Sequence, residues 1–357
     1  MKVAWIVISI ILLGFLIDLY HKEKVKANRL CYYITHVIPI FLVPQAYYIN
    51  SFKKRKQKLE KAITLSGKKY HVNYRVNYYN KIINPVKLKV LPKTAKVKKD
   101  PYINLTLHQY IEAHKYNTRS YYLDLYKGLR YFKNDKKVAI QFGDVREIQQ
   151  QPTIVKSRLL CDENSNNIIL KLDKARHFLF VKDKKKLDEK EGKLVWRGAV
   201  HTPLRRTLIK KLNAHPHNLI NTPCIIDKGS KEERKHNFMT IRKQLDYRYI
   251  LSIEGNDVAT NLKWIMSSNS IAFMTKPTCE SWFMEGDLVA NHHYVEVKDD
   301  WSDLVEKIEY CNQNPDFCKE ILNNAHRYVA QFQDDKVEEL ITMMVLEKYF
   351  QMQSYSK

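Results

Sequence analysis

The chain has 357 residues, of which 61 are Lys or Arg and 38 are Asp or Glu, so its formal net charge is +23. That length suggests two domains, each long enough to bury a core, and 45% hydrophobic residues exclude a disordered chain. Nine Gly and six Cys exclude collagen-like and disulfide-scaffold proteins. A charge of this size indicates an anionic partner, and nucleic acid, a membrane surface and a phosphorylated substrate all fit.

The charge is distributed unevenly along the chain. Residues 51–100 carry +14 and residues 101–250 carry +15, whereas residues 251–357 carry −9. A basic block next to an apolar N-terminal segment is typical of a patch that lies on an anionic membrane. A nucleic-acid enzyme more often spreads its basic residues along a whole groove, so the distribution favours the membrane.

The N-terminal segment, residues 1–20, is predicted to be a membrane anchor. Residues 3–17 are uncharged, which is short of the roughly 20 residues that a membrane span needs, and the alternative is a helix buried against the first domain. Basic residues after it predict a cytoplasmic downstream side. Residues 21–100 are predicted to be a basic segment at the membrane surface, and the alternative is a helical hairpin of the first domain with a solvated basic tail.

The rest of the chain is predicted to form two α/β domains and a final helix. Residues 101–185 contain a helical run from Leu105 to about Phe132 and then short strand-like segments such as VAIQFGD. Residues 186–330 alternate strand and helix regularly, which predicts a parallel sheet with helices on its faces. Residues 331–357 are predicted to be a C-terminal helix.

A turn from strand to helix at residues 196–206, WRGAVHTPLRR, is the first candidate for binding an anion. Thr202, a good N-cap followed by proline, is expected to start the helix, so Arg205 and Arg206 lie in its first turn. Cations there oppose the helix dipole, which indicates an external anion held by the arginines and the free N–H groups. Gly198 lets the backbone approach that anion. The alternative is a solvated basic helix start.

A second loop of the same kind lies at residues 253–263, IEGNDVATNLK. Gly255 follows a predicted strand, and Asn256 or Asp257 is expected to cap a helix directly after it. Turns from strand through glycine to helix commonly hold phosphate groups. No Walker or GxGxxG sequence occurs, so the pair of loops is better evidence than either loop alone.

The candidate general base is Asp144, which ends the strand of QFGD. A carboxylate at the carboxyl end of a strand is where a base is expected, although turn aspartates are common and Glu254 and Glu280 are rival carboxylates. No Asp-x-Asp, CxxC or HExxH motif occurs, so no metal site is predicted. The scattered cysteines are expected to be reduced thiols.

Three segments, WRGAVHTPLRR, YRYILSIEGNDVATNLKWIMSSNSIAFM and HHYVEVKDDWSDLVEKI, resemble in order and spacing the glycosyltransferase family 90 domain. The resemblance covers about residues 138–331, and the preceding residues look like the bacterial lipopolysaccharide branch of the family. It implies a GT-B type fold of two Rossmann-like domains with a cleft between them, to which the N-terminal membrane-associated helical segment predicted above is added. Residues 101–185 would form the acceptor-side domain and residues 186–330 the nucleotide-sugar-binding domain.

The resemblance also implies roles for individual residues. Arg205 falls on the arginine of the WRGxxxxxxR pattern that holds the donor diphosphate, and Asp144 falls on the catalytic aspartate. The other predicted donor-binding residues lie in the same two loops: Arg197, Gly198, Glu254, Gly255, Asn256, Thr260, Asn261 and Lys263. Two positions differ from the pattern, Ala199 in place of a frequent serine and Asn261 in place of an arginine, which leaves the donor sugar unassigned.

The resemblance thus implies an inverting, metal-independent hexosyltransferase without a cofactor. It is expected to take a hexose from a nucleotide sugar, UDP-glucose or UDP-galactose, and add it to the inner core of lipopolysaccharide or lipooligosaccharide. The predicted partners are that donor, the lipopolysaccharide core acceptor and an anionic membrane surface, with no nucleic acid, at the cytoplasmic face of the bacterial inner membrane. Two alternatives stay open, a protein O-glycosyltransferase and a non-catalytic, polyanion-binding membrane protein.

Overall fold

The computed structural model divides into two compact units. Unit 1 comprises residues up to Arg176 together with Phe332–Lys357, and unit 2 is His177–Gln331. The structure describes residues 32, 43–67, 69–86, 88, 102–106, 120–222 and 238–353. The predicted anchor, residues 1–20, lies outside the described residues. Among the helices that are described, none combines the length and the apolar character that a membrane span requires.

Helices and strands alternate through most of the described chain. The helices are α1 (Gln45–Leu65), α2 (Lys69–Tyr79), α3 (Ser120–Leu129), α4 (Lys174–His177), α5 (Pro203–Ala214), α6 (Ile241–Gln244), α7 (Leu262–Met266), α8 (Leu304–Gln313), α9 (Pro315–Ala330) and α10 (Asp335–Gln351). The strands are β1 (Tyr102–Thr106), β2 (Lys137–Gln141), β3 (Thr153–Val155), β4 (Ser157–Leu159), β5 (Asn167–Ile169), β6 (Glu191–Val195), β7 (Ile220–Asn221), β8 (Tyr247–Leu251), β9 (Ile271–Met274), β10 (Cys279–Ser281) and β11 (Val295–Glu296).

The division between the units falls earlier than the sequence places it. The predicted boundary lies between residues 185 and 186, whereas the division follows Arg176. Residues 177–185 belong to unit 2, and contacts with its interior hold them there: the buried Lys190 ammonium lies 2.6 Å from the Asp183 carboxylate. The Val181 N–H donates to the Ser267 hydroxyl at 2.9 Å. Residues 177–185 are thus part of the folded unit 2.

Unit 1 contains a four-stranded sheet in the order β1-β2-β3-β5. Strand β1 pairs antiparallel with β2, and the other pairs are parallel. The predicted helical run from Leu105 is wrong at its start, since residues up to Thr106 belong to β1 and pair with β2. The C-terminal helix α10 belongs to this unit, and its Tyr349 hydroxyl accepts the Ala139 N–H of β2 at 2.9 Å.

The basic N-terminal helices and the acidic helix α10 pack together in unit 1. The Arg55 guanidinium donates to Glu339 at 2.9 and 2.5 Å, and the Lys56 ammonium lies 2.5 Å from Glu347. Buried Arg75 of α2 lies 2.6 Å from Glu338. Part of the positive charge of residues 51–100 is therefore neutralised inside the fold by the negative charge at the end of the chain.

Unit 2 contains a fully parallel five-stranded sheet in the order β11-β9-β8-β6-β7. Numbered along the chain, this is the doubly wound order 2-1-3-4-5, whose order reverses between β6 and β8. All four residues of β9 are buried, as expected of a strand covered on both faces. The predicted α/β class with parallel sheets is confirmed, while the GT-B arrangement stays a prediction.

Candidate active site

The loops after β6 and β8 meet at the side chain of Arg205. Its Nε donates to the Glu254 carbonyl at 3.2 Å, Nη1 to the Ala199 carbonyl at 3.1 Å and Nη2 to the Ile253 carbonyl at 2.7 Å. The predicted start of α5 is confirmed, because the Thr202 hydroxyl accepts the Arg205 N–H at 3.4 Å. The arginine therefore bridges two loops at the point where a doubly wound sheet binds its ligand.

The guanidinium of Arg205 carries a charge that the described part of unit 2 does not neutralise. No described carboxylate forms an ion pair with it, and its partners are neutral carbonyl oxygens. Burial lowers the pKa of Arg205. The guanidinium carbon also lies 5.7 Å from the centre of the Trp196 ring. A rigidly held cation of this kind is suited to binding an external anion.

The two glycines of these loops have different structural roles. A Cβ on Gly198 would lie 2.6 Å from the Trp196 ring, so the packing of that indole requires glycine. A Cβ on Gly255 would lie 3.4 Å from Nη2 of Arg205, an ordinary contact distance. The absence of a side chain at Gly255 therefore leaves room beside the guanidinium. The structure gives Gly198 a packing role that the sequence does not reveal.

Glu254 fastens the second loop to the segment before β10. Its carboxylate accepts the N–H groups of Thr278 and Cys279 at 2.9 and 3.1 Å, and it accepts the Thr278 hydroxyl at 2.5 Å. Its carbonyl is one of the three acceptors of Arg205. Because one residue makes both sets of bonds, Glu254 sets the position of the guanidinium through the backbone.

The helix expected directly after Gly255 is absent there, and that prediction is wrong. Residues 256–259 form an irregular, bent segment, residues 260 and 261 form a turn, and α7 begins only at Leu262. The side chain of Asn261 holds this turn against β8, since its Nδ2 donates to the Leu251 carbonyl at 2.9 Å. Asn256 is exposed and Thr260 is half-buried in the same loop. A helix of five residues that begins beyond this loop adds little dipole beside Gly255.

Lys263 lies in the interior of unit 2 and not with the loop residues. Its ammonium is fully buried and lies 2.5 Å from the Glu285 carboxylate. Glu285 also accepts the Ser281 N–H at 2.6 Å, and the ring of Phe283 lies 5.3 Å from the ammonium. The fold neutralises this charge. The predicted donor role of Lys263 stays a prediction.

Arg197 is directed to the neighbouring strand β7. Its guanidinium donates to the backbone carbonyl and the side-chain oxygen of Asn221 at 3.0 and 2.8 Å. It also donates to the carbonyl of Trp196 at 2.8 Å. The structure thus brings Arg205, Glu254 and Gly255 together and gives Arg197 a separate set of partners.

The predicted base, Asp144, lies in unit 1, three residues after β2. Gly143 before it has φ of +102°, a conformation that favours glycine. One carboxylate oxygen lies 2.6 Å from the Lys156 ammonium and 3.9 Å from the Arg176 guanidinium. The Asp144 side chain is 28% exposed, whereas Lys156 is buried. The result is a carboxylate that a buried lysine holds in place from within the unit and that is open on one side.

Lys156 contacts the predicted base Asp144, and the sequence analysis misses this residue of the candidate site although the sequence contains a signal for it. It follows β3, and β3 pairs in parallel with β2 through Val155 and Gln141. Residues just after neighbouring parallel strands lie at the same edge of a sheet, so Lys156 and Asp144 are expected near each other. A lysine directly after an apolar strand is the sequence signal.

The residues that the structure describes offer no group of three or more His, Cys, Asp or Glu side chains able to hold a metal ion. Metal independence nevertheless stays a prediction. Within the described ranges, four cysteines are free thiols, namely Cys161, Cys279, Cys311 and Cys318.

Known proteins resemble this chain over both units. The family model described as Glycosyl transferase family 90 matches residues 167–357. The O-glucosyltransferase LpsA of Dichelobacter nodosus is 36% identical over 334 residues, which cover 94% of this chain and 99% of that protein. The Uncharacterized protein 179R of Invertebrate iridescent virus 6 is 31% identical over 139 residues, covering 37% of this chain and 12% of that protein. The family match includes Arg205 and begins after Asp144.

Proposed function

The chain belongs to glycosyl transferase family 90, and from that membership we propose that it transfers a hexose from a nucleotide sugar to the inner core of lipopolysaccharide or lipooligosaccharide. The relative's name, O-glucosyltransferase LpsA, supports glucose as the sugar and lipopolysaccharide as the acceptor. UDP-glucose is therefore the first donor to test and UDP-galactose the second. The reaction is placed at the cytoplasmic face of the bacterial inner membrane, where sugar nucleotides are available.

The observation that carries the proposal is the guanidinium of Arg205, which no carboxylate among the described residues neutralises. A nucleotide sugar brings a diphosphate with two negative charges, which an arginine binds through charge-assisted hydrogen bonds. Three carbonyl contacts hold the guanidinium before the donor arrives, so little reorganisation accompanies binding. Gly255 leaves space on the same side. The proposed mechanism uses these groups in place of a metal ion.

The proposed chemistry is a single displacement with inversion at the anomeric carbon. Asp144 removes the proton from an acceptor hydroxyl, whose oxygen forms the new glycosidic bond as the bond from the anomeric carbon to the diphosphate breaks. The leaving diphosphate keeps the bonding electrons, and Arg205 stabilises the added charge. Lys156 holds the Asp144 carboxylate in place through the 2.6 Å contact. Asp144 and Lys156 lie in unit 1 and Arg205 lies in unit 2.

The mass of lipopolysaccharide from cells tests this proposal. A strain without the gene is expected to lose one hexose, and the wild-type protein restores it. Asp144→Asn is expected to lower turnover by about 10²–10⁴-fold, so the hexose stays absent or substoichiometric. Glu147→Gln is the matched control, because Glu147 is an exposed carboxylate in the same loop.

Two outcomes would contradict the proposal in different ways. Full restoration by Asp144→Asn removes Asp144 as the base and leaves the transfer itself intact. An unchanged lipopolysaccharide mass in the strain without the gene contradicts the acceptor. Addition of EDTA to the purified enzyme tests metal independence, and the rate is expected to be unchanged.

A further inference from the structure

Helix α1 presents two faces with opposite electrostatic surroundings. Its inward face packs on the rest of unit 1 through three buried apolar side chains, Tyr48, Leu59 and Ile63. Arg55 and Lys56 flank this face and pair with the acidic helix α10. These two cations are therefore occupied within the unit and unavailable to an external partner.

The outward face of α1 carries four lysines, Lys53, Lys54, Lys58 and Lys61. The spacing of Lys54, Lys58 and Lys61 places them on one side of an α-helix, with Lys53 beside them. All four are exposed. Within the described part of the chain, none of the four forms an ion pair or a side-chain hydrogen bond. Unlike Arg55 and Lys56, they present a concentrated positive charge to the solvent.

Apolar side chains lie at both ends of the same face. Tyr47 is 64% exposed and Leu65 is 80% exposed. They are seven residues before Lys54 and four residues after Lys61, which are helical spacings that keep them on the lysine face. The separation of eighteen residue steps from Tyr47 to Leu65 corresponds to about 27 Å along the helix axis. A lysine row with exposed apolar side chains at its ends fits a bilayer surface, where lysines meet headgroups and apolar groups enter the acyl boundary.

We infer that this outward face of α1, composed of Tyr47, Lys53, Lys54, Lys58, Lys61 and Leu65, docks unit 1 on a bilayer that contains anionic phospholipid. The inference deepens the proposed function, since the proposed acceptor is a membrane glycolipid. It also narrows the sequence-based expectation of a basic surface segment. One face of one folded helix makes the contact, and the other face holds the helix on α10.

Exposed apolar residues favour the bilayer over nucleic acid as the partner of this face. Nucleic acid attracts lysine rows through its phosphates but gains nothing from an exposed leucine at the end of the row. A bilayer attracts the lysines electrostatically and also removes the apolar side chains from water. The two partners are separated by the experiment that follows.

The test is co-flotation of the full-length protein with vesicles of phosphatidylcholine, with and without phosphatidylglycerol. Wild type is expected to prefer the vesicles with phosphatidylglycerol. Replacing all four lysines by Gln is expected to reduce that preference by at least about tenfold, because each lysine near an anionic surface contributes to binding. Replacing all four by Arg keeps the charge and is expected to keep the preference.

A charge-matched control removes four exposed lysines elsewhere, Lys182, Lys210, Lys243 and Lys336, by substitution with Gln. The inference predicts wild-type vesicle preference for this control. An equal loss of vesicle preference in both Gln variants would show an effect of net charge alone and would contradict the inference. An unchanged vesicle preference in the variant without the four α1 lysines would also contradict it. Loss of binding to an RNA oligonucleotide with unchanged vesicle preference would assign the face to nucleic acid.

The vesicle assay contains neither donor nor acceptor. Its result can therefore disprove membrane docking without bearing on the proposed transfer reaction. Turnover of a detergent-solubilised lipopolysaccharide acceptor is expected to be unchanged in the four-Gln variant, since none of the lysines belongs to the candidate active site. A thermal unfolding curve that matches wild type shows that the variant folds. Wild type that docks without any turnover would contradict the proposed function and leave the docking face supported.

Discussion

Arg205 and Lys263 are two cations of unit 2 that share one predicted site and have opposite environments. Arg205 has only carbonyl partners among the described residues, and its guanidinium lies between two loops at the carboxyl edge of the sheet. Lys263 is fully buried against Glu285. A cation in a sequence motif is therefore a candidate for anion binding when the fold provides no carboxylate to neutralise it. Sequence position alone does not distinguish the two.

The largest expected effect concerns the paired cation and is an effect on folding. Lys263→Met leaves the Glu285 carboxylate buried without its partner, which is expected to lower the free energy of unfolding by about 3–5 kcal/mol. Urea unfolding followed by circular dichroism measures the change. Adding Glu285→Gln removes the unpaired charge and is expected to recover part of the loss.

The proposed difference between Arg205 and Lys263 would be wrong if Lys263→Met weakened donor binding without lowering stability. A stability equal to that of wild type, together with a tenfold higher KM for the donor, would show that Lys263 contacts the nucleotide sugar. The predicted loss of stability, together with an unchanged KM for the donor in the protein that remains folded, would support a structural role of Lys263 in the core of unit 2.

Two alanine substitutions separate the packing role of Gly198 from the proposed role of Gly255 in leaving room for the donor. Gly198→Ala places a methyl group against the Trp196 ring and is expected to cost about 1–3 kcal/mol of stability. Gly255→Ala makes an ordinary contact with Arg205 and is expected to stay within about 0.5 kcal/mol of wild type. Gly255→Ala is nevertheless expected to raise the KM for the donor, because the methyl group occupies space beside the guanidinium.

Thermal unfolding and donor saturation curves of both alanine variants provide the measurement. A wild-type KM in Gly255→Ala would show that the donor does not approach Arg205 from this side. A wild-type unfolding temperature in Gly198→Ala would show that the Trp196 ring moves without cost, and the packing role of Gly198 would then be wrong.

The smallest expected effect concerns Glu254, which positions Arg205 through its carbonyl. Glu254→Gln keeps one oxygen for the N–H groups of Thr278 and Cys279 but replaces charge-assisted bonds with weaker neutral ones, a loss of about 1 kcal/mol. A several-fold rise in KM with kcat nearly unchanged is expected. Steady-state kinetics checks it, and an equal fall in kcat would instead indicate a direct role of the carboxylate in the reaction.

Local signals predict the parts of the site that depend on neighbours in sequence. The Thr-Pro pair at residues 202–203 predicts the start of α5, and the structure confirms it with Thr202 as N-cap. Apolar runs between turns predict the strands of the parallel sheet in unit 2. These features depend on contacts within a few residues, and such contacts leave recognisable patterns.

Long-range contacts explain what the sequence analysis does not predict. The irregular segment and the turn at residues 256–261 replace an expected helix because Asn261 bonds to the end of β8. Lys263 pairs with Glu285, which is 22 residues away. The basic helix α1 pairs with α10 across more than 280 residues. No local pattern specifies such partners. From its composition, α1 is only a basic segment, and the sequence does not show which of its cations pair with α10.

The most direct test of the central claim is the affinity of the full-length protein for UDP, measured by isothermal titration calorimetry without an acceptor. Arg205→Ala is expected to weaken binding by about tenfold or more, because hydrogen bonds between charged groups are lost. Lys210→Ala, which removes an exposed cation of the same helix α5, is expected to bind as wild type does. Equal affinities in wild type and Arg205→Ala would contradict the claim that this guanidinium holds the donor diphosphate.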